Sequence, residues 1–330
     1  MTTTHQESRN GRRAAPALRG TLRLGLTVAA SSALLGGVAL AAVPASASAA
    51  RAPHYSFRTL NNHNDPTFNQ LLGINNFGKI AGYFGSGAAG HPNKGYVLRP
   101  PYHQLQYRNQ NFPHSAQTQV TGLNDGVITV GFWVNGTNAN FGFYAVKGRK
   151  FHSVNFPTHN NASPPVNQLL GVNDRNVAAG FYTDSTGNNH GYLYSIGTKK
   201  FRRVHVSGAT SVTATAINNR GNVAGFFVNS TGATKSFLLR HSGQLIKFAF
   251  PGATITQAFG LNDLGEVVGV YTLSSTVTHG FTWTQRHGFR TVNDPHGVNT
   301  TIINGVNDLG DLVGFYVDAG GNTDGLLATP

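Results

Sequence analysis

Beyond residue 50 the chain alternates short apolar runs with polar breaks rich in Gly, Asn and Asp, a spacing that predicts strands joined by tight turns. The stretch from 257 to 292 shows the unit. Gln257–Asn262, Glu266–Tyr271, His279–Trp283 and Phe289–Val292 each read as a strand, and they are called a, b, c and d below. Between a and b, Asn262-Asp263-Leu264-Gly265 reads as a hairpin in which Asn caps the turn through its side chain and Gly takes the left-handed position. Strand b is apolar on both faces, as in Ile80-Ala81-Gly82-Tyr83-Phe84, which suits a sheet held between two others.

The unit repeats six times. Gly73-Ile74-Asn75-Asn76 leads to Gly82, Gly122-Leu123-Asn124-Asp125 to Gly131, and Gly171-Val172-Asn173-Asp174 to Gly180. Ala216-Ile217-Asn218-Asn219 then leads to Gly225, Gly260-Leu261-Asn262-Asp263 to Gly269, and Gly305-Val306-Asn307-Asp308 to Gly314. The invariant Asn recurs at spacings of 49, 49, 45, 44 and 45, a period that fits one four-stranded propeller blade per repeat. In the third repeat the turn Gly is replaced by Asn176, the other residue that tolerates left-handed φ. The invariant Gly of strand b is expected to let an aromatic ring pack against the backbone.

The two ends complement each other. Phe57-Arg58-Thr59-Leu60 matches the d strand Phe289-Arg290-Thr291-Val292, and Gly325-Leu326-Leu327-Ala328 matches the c strand Gly280-Phe281-Thr282-Trp283. The expected fold is therefore all-β: a six-bladed β-propeller with four antiparallel strands per blade, its last blade closed by the first strand of the mature chain. Blades are expected at about 57–104, 105–150, 151–200, 201–244, 245–288 and 289–330. A β-solenoid or two three-repeat sheets are the alternatives, although a linear stack would want polar caps rather than matching ends.

The segment before the repeats has a different composition. Arg9, Arg12, Arg13, Arg19 and Arg23 precede an Ala/Leu/Val/Gly run from Leu24 to Val43, followed by Ala45-Ser46-Ala47-Ser48-Ala49. This order predicts a signal peptide over residues 1–49, cleaved near Ala47 or Ala49. The alternative is an uncleaved anchor, since the run approaches the ~20 residues that span a bilayer. Arg12-Arg13 alone does not separate general from twin-arginine export.

With no cysteine, disulfides, thiolate metal sites and thiol nucleophiles are excluded. The net charge of +13 falls to +9 once residues 1–49, with five Arg and one Glu, are set aside, leaving 20 basic and 11 acidic residues. Arg58, Arg202, Arg290 and Lys199-Lys200 fall on d strands or c–d turns, where a basic rim suits attraction to anionic polymers or lipid surfaces. No nucleic-acid motif accompanies it, so no nucleic-acid partner is expected.

These columns resemble the HAF family of extracellular repeats, whose His-Ala-Phe element follows a Gly-apolar-Asn-x-x-Gly-x-apolar-x-Gly core. The nearest counterparts are His279-Gly280-Phe281-Thr282-Trp283 and His190-Gly191-Tyr192-Leu193-Tyr194; elsewhere the His is Lys94, Phe141, Lys235 or Asp324. The resemblance covers nearly all of residues 55–330. It implies repetition and an extracellular location, and it transfers no catalytic residue.

If adjacent strands alternate in direction, a–b and c–d turns share one face, and b–c and d–a connections the other. From the b-strand Gly to the second residue of c the spacing is 11 in five repeats and 13 in the first, and from d to the invariant Asn it ranges from 17 to 22, whereas the a–b spacing never varies. Variation on one face marks it as the recognition surface. Its candidate ligand-binding residues are His91, Lys94, His159, Asn160 and Asn161, together with Gln70, Gln119, Gln168 and Gln257 near the start of strand a. Those glutamines either offer amides at a channel mouth or hydrogen-bond neighbouring strands.

Asn76, Asp125, Asp174, Asn219, Asp263 and Asp308 also recur, but on separate turns they would not converge as calcium requires. His190 and His279 start c strands of nonadjacent blades, which argues against a metal site. No cofactor or metal is therefore expected. There is no Gly-x-Ser-x-Gly elbow, no His-Glu-x-x-His and no phosphate-binding Gly-Lys loop. The sequence points to a secreted, non-enzymatic module that binds an extracellular glycan, cell-wall polymer or protein. A hydrolase or lyase at the channel mouth, with Asp65 or Asp294 as its carboxylate, is one alternative, and a structural matrix role is the other.

Overall fold

The computed structural model describes residues 54–126, 128–274 and 277–330. The leader expected over residues 1–49 lies outside them. No described helix is long and apolar enough to cross a membrane.

The described chain is almost entirely strand. After β1 (Ser56–Thr59), the first sheet is β2 (Asn69–Ile74), β3 (Ile80–Phe84), β4 (Lys94–Leu98) and β5 (Tyr107–Asn109). The second is β6 (Gln117–Leu123), β7 (Ile128–Val134), β8 (Asn140–Val146) and β9 (Lys150–Val154). The third is β10 (Asn167–Val172), β11 (Val177–Thr183), β12 (Asn189–Ser195) and β13 (Lys200–Arg203). Then come β14 (Ala209–Ile217), β15 (Val223–Asn229), β16 (Thr234–Leu239) and β17 (Leu245–Phe248), followed by β18 (Ile255–Leu261), β19 (Val267–Ser274), β20 (Val277–Thr284) and β21 (Gly288–Val292). A single parallel pairing, Thr234 with Ile255, joins these two sets into one eight-stranded sheet. The remaining sheet runs β1-β24-β23-β22, from β22 (Thr301–Val306), β23 (Leu312–Val317) and β24 (Thr323–Thr329). Here β1 pairs antiparallel with β24, from Ser56 opposite Thr329 to Thr59 opposite Leu326.

The turn chemistry follows the sequence. Asn262 Oδ1 accepts from the Glu266 amide at 2.9 Å while Gly265 sits at φ 85°, and Asn176 holds the equivalent place at φ 58°. Every a–b pair also carries a bulge that the apolar pattern hides. The register skips Leu72, Thr121, Leu170, Thr215, Phe259 and Asn304 in turn. The b-strand Gly sits opposite. A methyl group on Gly225 would overlap the Thr213 carbonyl oxygen and lie 2.9 Å from the Phe237 ring. The expected aromatic neighbour is present, but the Thr213 carbonyl, two residues before the skipped Thr215, is the tighter constraint.

Apolar clusters bury each sheet against the next in chain order. A further cluster packs Leu71, Ile80 and Tyr96 of the first sheet with Val313 and Leu327 of the last. Near the a–b turns the backbones nearly touch. A methyl group on Gly73 would lie 3.2 Å from the Gly122 Cα, and one on Gly305 would lie 3.0 Å from the Gly73 Cα.

Candidate functional site

Two sets of hydrogen bonds link the a–b turns. The invariant Asn side chain does more than cap its own hairpin: Asn75 Nδ2 donates to the Asn124 carbonyl at 3.0 Å, Asn124 to Asn173 at 3.2 Å, and Asn173 to Asn218 at 3.0 Å. Asn218 donates to Asn262 at 2.9 Å, Asn262 to Asn307 at 3.0 Å, and Asn307 back to Asn75 at 3.3 Å. In the second set, each following Asx backbone amide donates to the side chain of the next, from Asn76 to Asp125 at 2.8 Å through to Asp308 back to Asn76 at 2.9 Å. These residues sit on separate turns, and the turns bring them together around a polar hollow of about 80 Å³. The amides of Asn76 and Asn219 each donate to two aspartates, so all four carboxylates in the set are held by hydrogen bonds. No group of three or more His, Asp or Glu side chains with metal-holding geometry occurs among the described residues.

Further in, the skipped bulge residues line a cavity of about 40 Å³. Its polar members are spoken for. Thr121 Oγ1 donates to the Leu169 carbonyl at 2.8 Å, Thr215 to Ala258 at 3.0 Å, and Asn304 Nδ2 to Leu71 at 2.9 Å. No carboxylate or imidazole lines it.

At the opposite end, where b–c turns and d–a connections meet, the start of each c strand is tied to the repeat that follows. Thr118 N donates to the Asn93 carbonyl at 3.0 Å, Asn140 N to Pro165 at 2.8 Å, Thr278 N to Asn299 at 2.9 Å, and Thr323 N to Thr67 at 3.0 Å. The b–c turns have their own Asx caps, which the sequence reading missed. Asn135, Asp184 and Asn229 each accept amides two and four residues on, at 2.9–3.0 Å. The available signal was an Asx four residues after the b-strand Gly, followed by Thr two positions later.

The glutamines are buried. Gln70, Gln119 and Gln168 are 4%, 3% and 6% exposed, and only Gln257 is half-buried. Gln119 Nε2 donates to Asn93 at 2.8 Å and Gln168 Nε2 to Asn140 at 3.3 Å, both across to the preceding sheet. Gln70 Oε1 accepts from the Tyr83 hydroxyl at 2.8 Å. Cross-strand bonding thus engages Gln70, Gln119 and Gln168, while Gln70 Nε2 and Gln168 Oε1 stay buried without a partner.

The loop candidates form two patches rather than one. In the first repeat, exposed His91 places Nδ1 2.9 Å from the buried Asp65 carboxylate, while Lys94 stands opposite Phe84 in the b–c pairing. In the third, Asn160 Oδ1 accepts from the Ser185 amide at 3.1 Å, Asn161 Nδ2 donates to the Thr158 carbonyl at 2.9 Å, and His159 is exposed. This places the 159–161 loop on the turn that holds Asp184, whose carboxylate lies 2.7 Å from His190 Nε2. Burial works to raise the Asp184 carboxyl, but hydrogen bonds from His190, Thr186 and the Asn188 amide outweigh it and lower its pKa to about 2. Asp294 is likewise buried and 3.0 Å from His296.

An aromatic stack completes the third-repeat patch. The Tyr182 ring lies between Phe156 at 4.8 Å and His190 at 4.9 Å. The exposed Arg203 guanidinium sits 5.2 Å over Phe156 and donates to the Tyr182 hydroxyl at 3.3 Å. The patch therefore offers a cation, an imidazole, amides and partly exposed ring surface within one loop cluster.

No family model matches the chain, and no curated protein matches it either. Solved structures do. A putative TolB from Agrobacterium tumefaciens matches with a TM-score of 0.57 at 12% identity, over 84% of this chain and 98% of its own. TolB from Acinetobacter baumannii matches with a TM-score of 0.51 at 11% identity, over 81% of this chain, which spans 66% of that protein's length. A six-bladed fungal lectin from Aleuria aurantia matches at 0.48 and 10% identity, over 78% of this chain and 90% of its own. The likeness to the two TolB chains identifies the fold of this chain as one of the β-propeller kind, built from four-stranded antiparallel repeats.

Proposed function

We propose that this chain is an exported, non-enzymatic binding module of the HAF-type extracellular repeats, a six-bladed propeller over residues 50–330 that captures an extracellular glycan through its b–c and d–a face. Support for six blades closed head to tail comes from the Asn307–Asn75 bond and from β1 beside β24. Support for the face comes from the third-repeat patch. Ring surface from Phe156, flanked by Arg203, His190 and the amides of Asn160 and Asn161, suits a sugar, whose C–H face stacks on an aromatic ring while its hydroxyls take donors and acceptors. The first-repeat patch at His91 and Lys94 would extend the footprint along a polymer.

Glycan and cell-wall arrays probed with purified protein lacking residues 1–49 test this. Capture should weaken roughly tenfold in Arg203→Ala and in the pair His159→Ala and Asn160→Ala. Equal capture by these variants would remove the patch from consideration. Turnover of chromogenic glycosides that disappears in Asp65→Asn or Asp294→Asn would replace the binding reading with the hydrolase one.

A further inference from the structure

The a–b and c–d face also carries a cleft with an apolar floor. Between the third and fourth sheets lies a cavity of about 260 Å³ whose floor includes Val177, Leu193 and Phe201. Arg175, Lys200 and Arg202, all exposed, stand on its wall. Among the described residues, no acidic group lies within ion-pair distance of these three cations. None lines the cavity either.

Four residues after the invariant Asn the repeats carry Lys79, Ile128, Val177, Asn222, Glu266 and Asp311 in turn. The fifth and sixth combine that carboxylate with Arg290 and Arg58 at the d-strand place of Arg202. The first, with Arg108, and the third keep the arginine without a carboxylate, and of these two the third has an apolar residue where the first has Lys79. The a–b turn of the third repeat adds Arg175, where the fifth and sixth have Leu264 and Leu309, and β13 adds Lys200. An apolar floor under unneutralised cations is the opposite of a solvated surface run.

We infer that this inter-sheet cavity is a binding site for an amphiphilic anion, a phosphate, sulfate or carboxylate carried on an aliphatic or aromatic body, with Arg175, Lys200 and Arg202 taking the charge and Val177, Leu193 and Phe201 the apolar part. The site shares no side chain with the glycan patch, although Arg202 and Arg203 are neighbours in β13, and does not depend on it. A guanidinium pair can hold an oxyanion bidentately, and the floor selects against inorganic anions that carry no apolar group.

Titration calorimetry with octyl phosphate tests the site. One saturable site is expected, with inorganic phosphate and octyl glucoside each binding at least about tenfold more weakly, because each supplies half of the recognition. Replacing Lys200 and Arg202 together by Ser should weaken octyl phosphate roughly tenfold. Ser195→Phe, which keeps every cation but fills the cavity, should abolish saturable binding, and unchanged melting of both variants shows that neither result reflects unfolding. Octyl phosphate binding no tighter than inorganic phosphate, or equal in both variants, overturns the inference. Co-sedimentation with phosphatidylcholine vesicles containing phosphatidic acid, lost in the Lys200 and Arg202 variant, would identify the natural source as a membrane lipid; absence of co-sedimentation beside positive calorimetry would identify it as a free amphiphile.

Discussion

Asn307 donates its side-chain amide to the backbone carbonyl of Asn75, 3.3 Å away and 232 positions earlier in the chain. The same side chain accepts the Leu309 and Asp311 amides at 3.1 and 2.9 Å, so one residue shapes its own turn and fastens it to a distant one. Five other asparagines repeat the link to the following turn. Propensity alone would ask only for a turn residue here; this geometry asks for an amide.

The first prediction follows from that distinction. In Asn173→Asp the acceptor that caps Arg175 and Val177 is kept, while the donor to Asn218 is lost and a buried charge faces a carbonyl. Chemical denaturation should show Asn173→Asp to be as destabilising as Asn173→Ala, each by about 3 kcal/mol. A markedly milder Asp variant would mean that the turn cap alone matters.

Strand β1 supplies a second. A chain starting at His63 loses the β1–β24 pairing and Leu60, which is buried between the first and last sheets. Its melting temperature should fall by about 10 °C. A synthetic peptide covering residues 54–62 should restore it by strand addition. A truncated chain that melts like the parent would show that the pairing contributes little.

Gly225→Ala is the third. The added methyl meets the Thr213 carbonyl oxygen and the Phe237 ring, and backbone cannot rotate away as a flexible side chain would. A loss of about 3 kcal/mol is expected, against less than about 0.5 kcal/mol for the same change at exposed Gly136, where nothing lies within 4 Å.

Acid provides the fourth. The Asp184 pKa of about 2 lies below its unfolded value of ~3.9, so its contribution to stability is present above about pH 4 and is lost as pH falls toward 2. Asp65 is lowered too: burial opposes the shift, but hydrogen bonds from Thr67 and His91 outweigh it. Asp184→Asn should therefore show a smaller drop in stability between about pH 5 and about pH 2.5 than the parent. An identical drop would place the acid sensitivity elsewhere.

Much of this was legible in the sequence because period and turn chemistry are local. Gln257–Asn262 and His279–Trp283 differ from β18 and β20 by at most two residues at any end. What was not legible depended on meetings between repeats. The six Asx side chains converge because successive turns stack, a fact of distance that no single turn encodes. Gln119 reads like a mouth residue until Asn93, 26 positions earlier, is found beside it. The bulge at Leu72 leaves no mark in the apolar pattern, since the skipped residue is itself apolar. Val177 is plainly written in the chain, but it signifies only once Arg202 is known to line the same cleft.

The pairing of Ser56 with Thr329 puts residues near both ends of the described chain at the same corner of one sheet. A force applied between them would peel hydrogen bonds apart singly, starting at that corner, instead of loading them all at once in shear. Mechanical resistance would be lowest along that one line and higher between any a–b turns. Immobilising the protein through a single end would leave this seam unstressed, whereas tethering both would pull on its weakest direction.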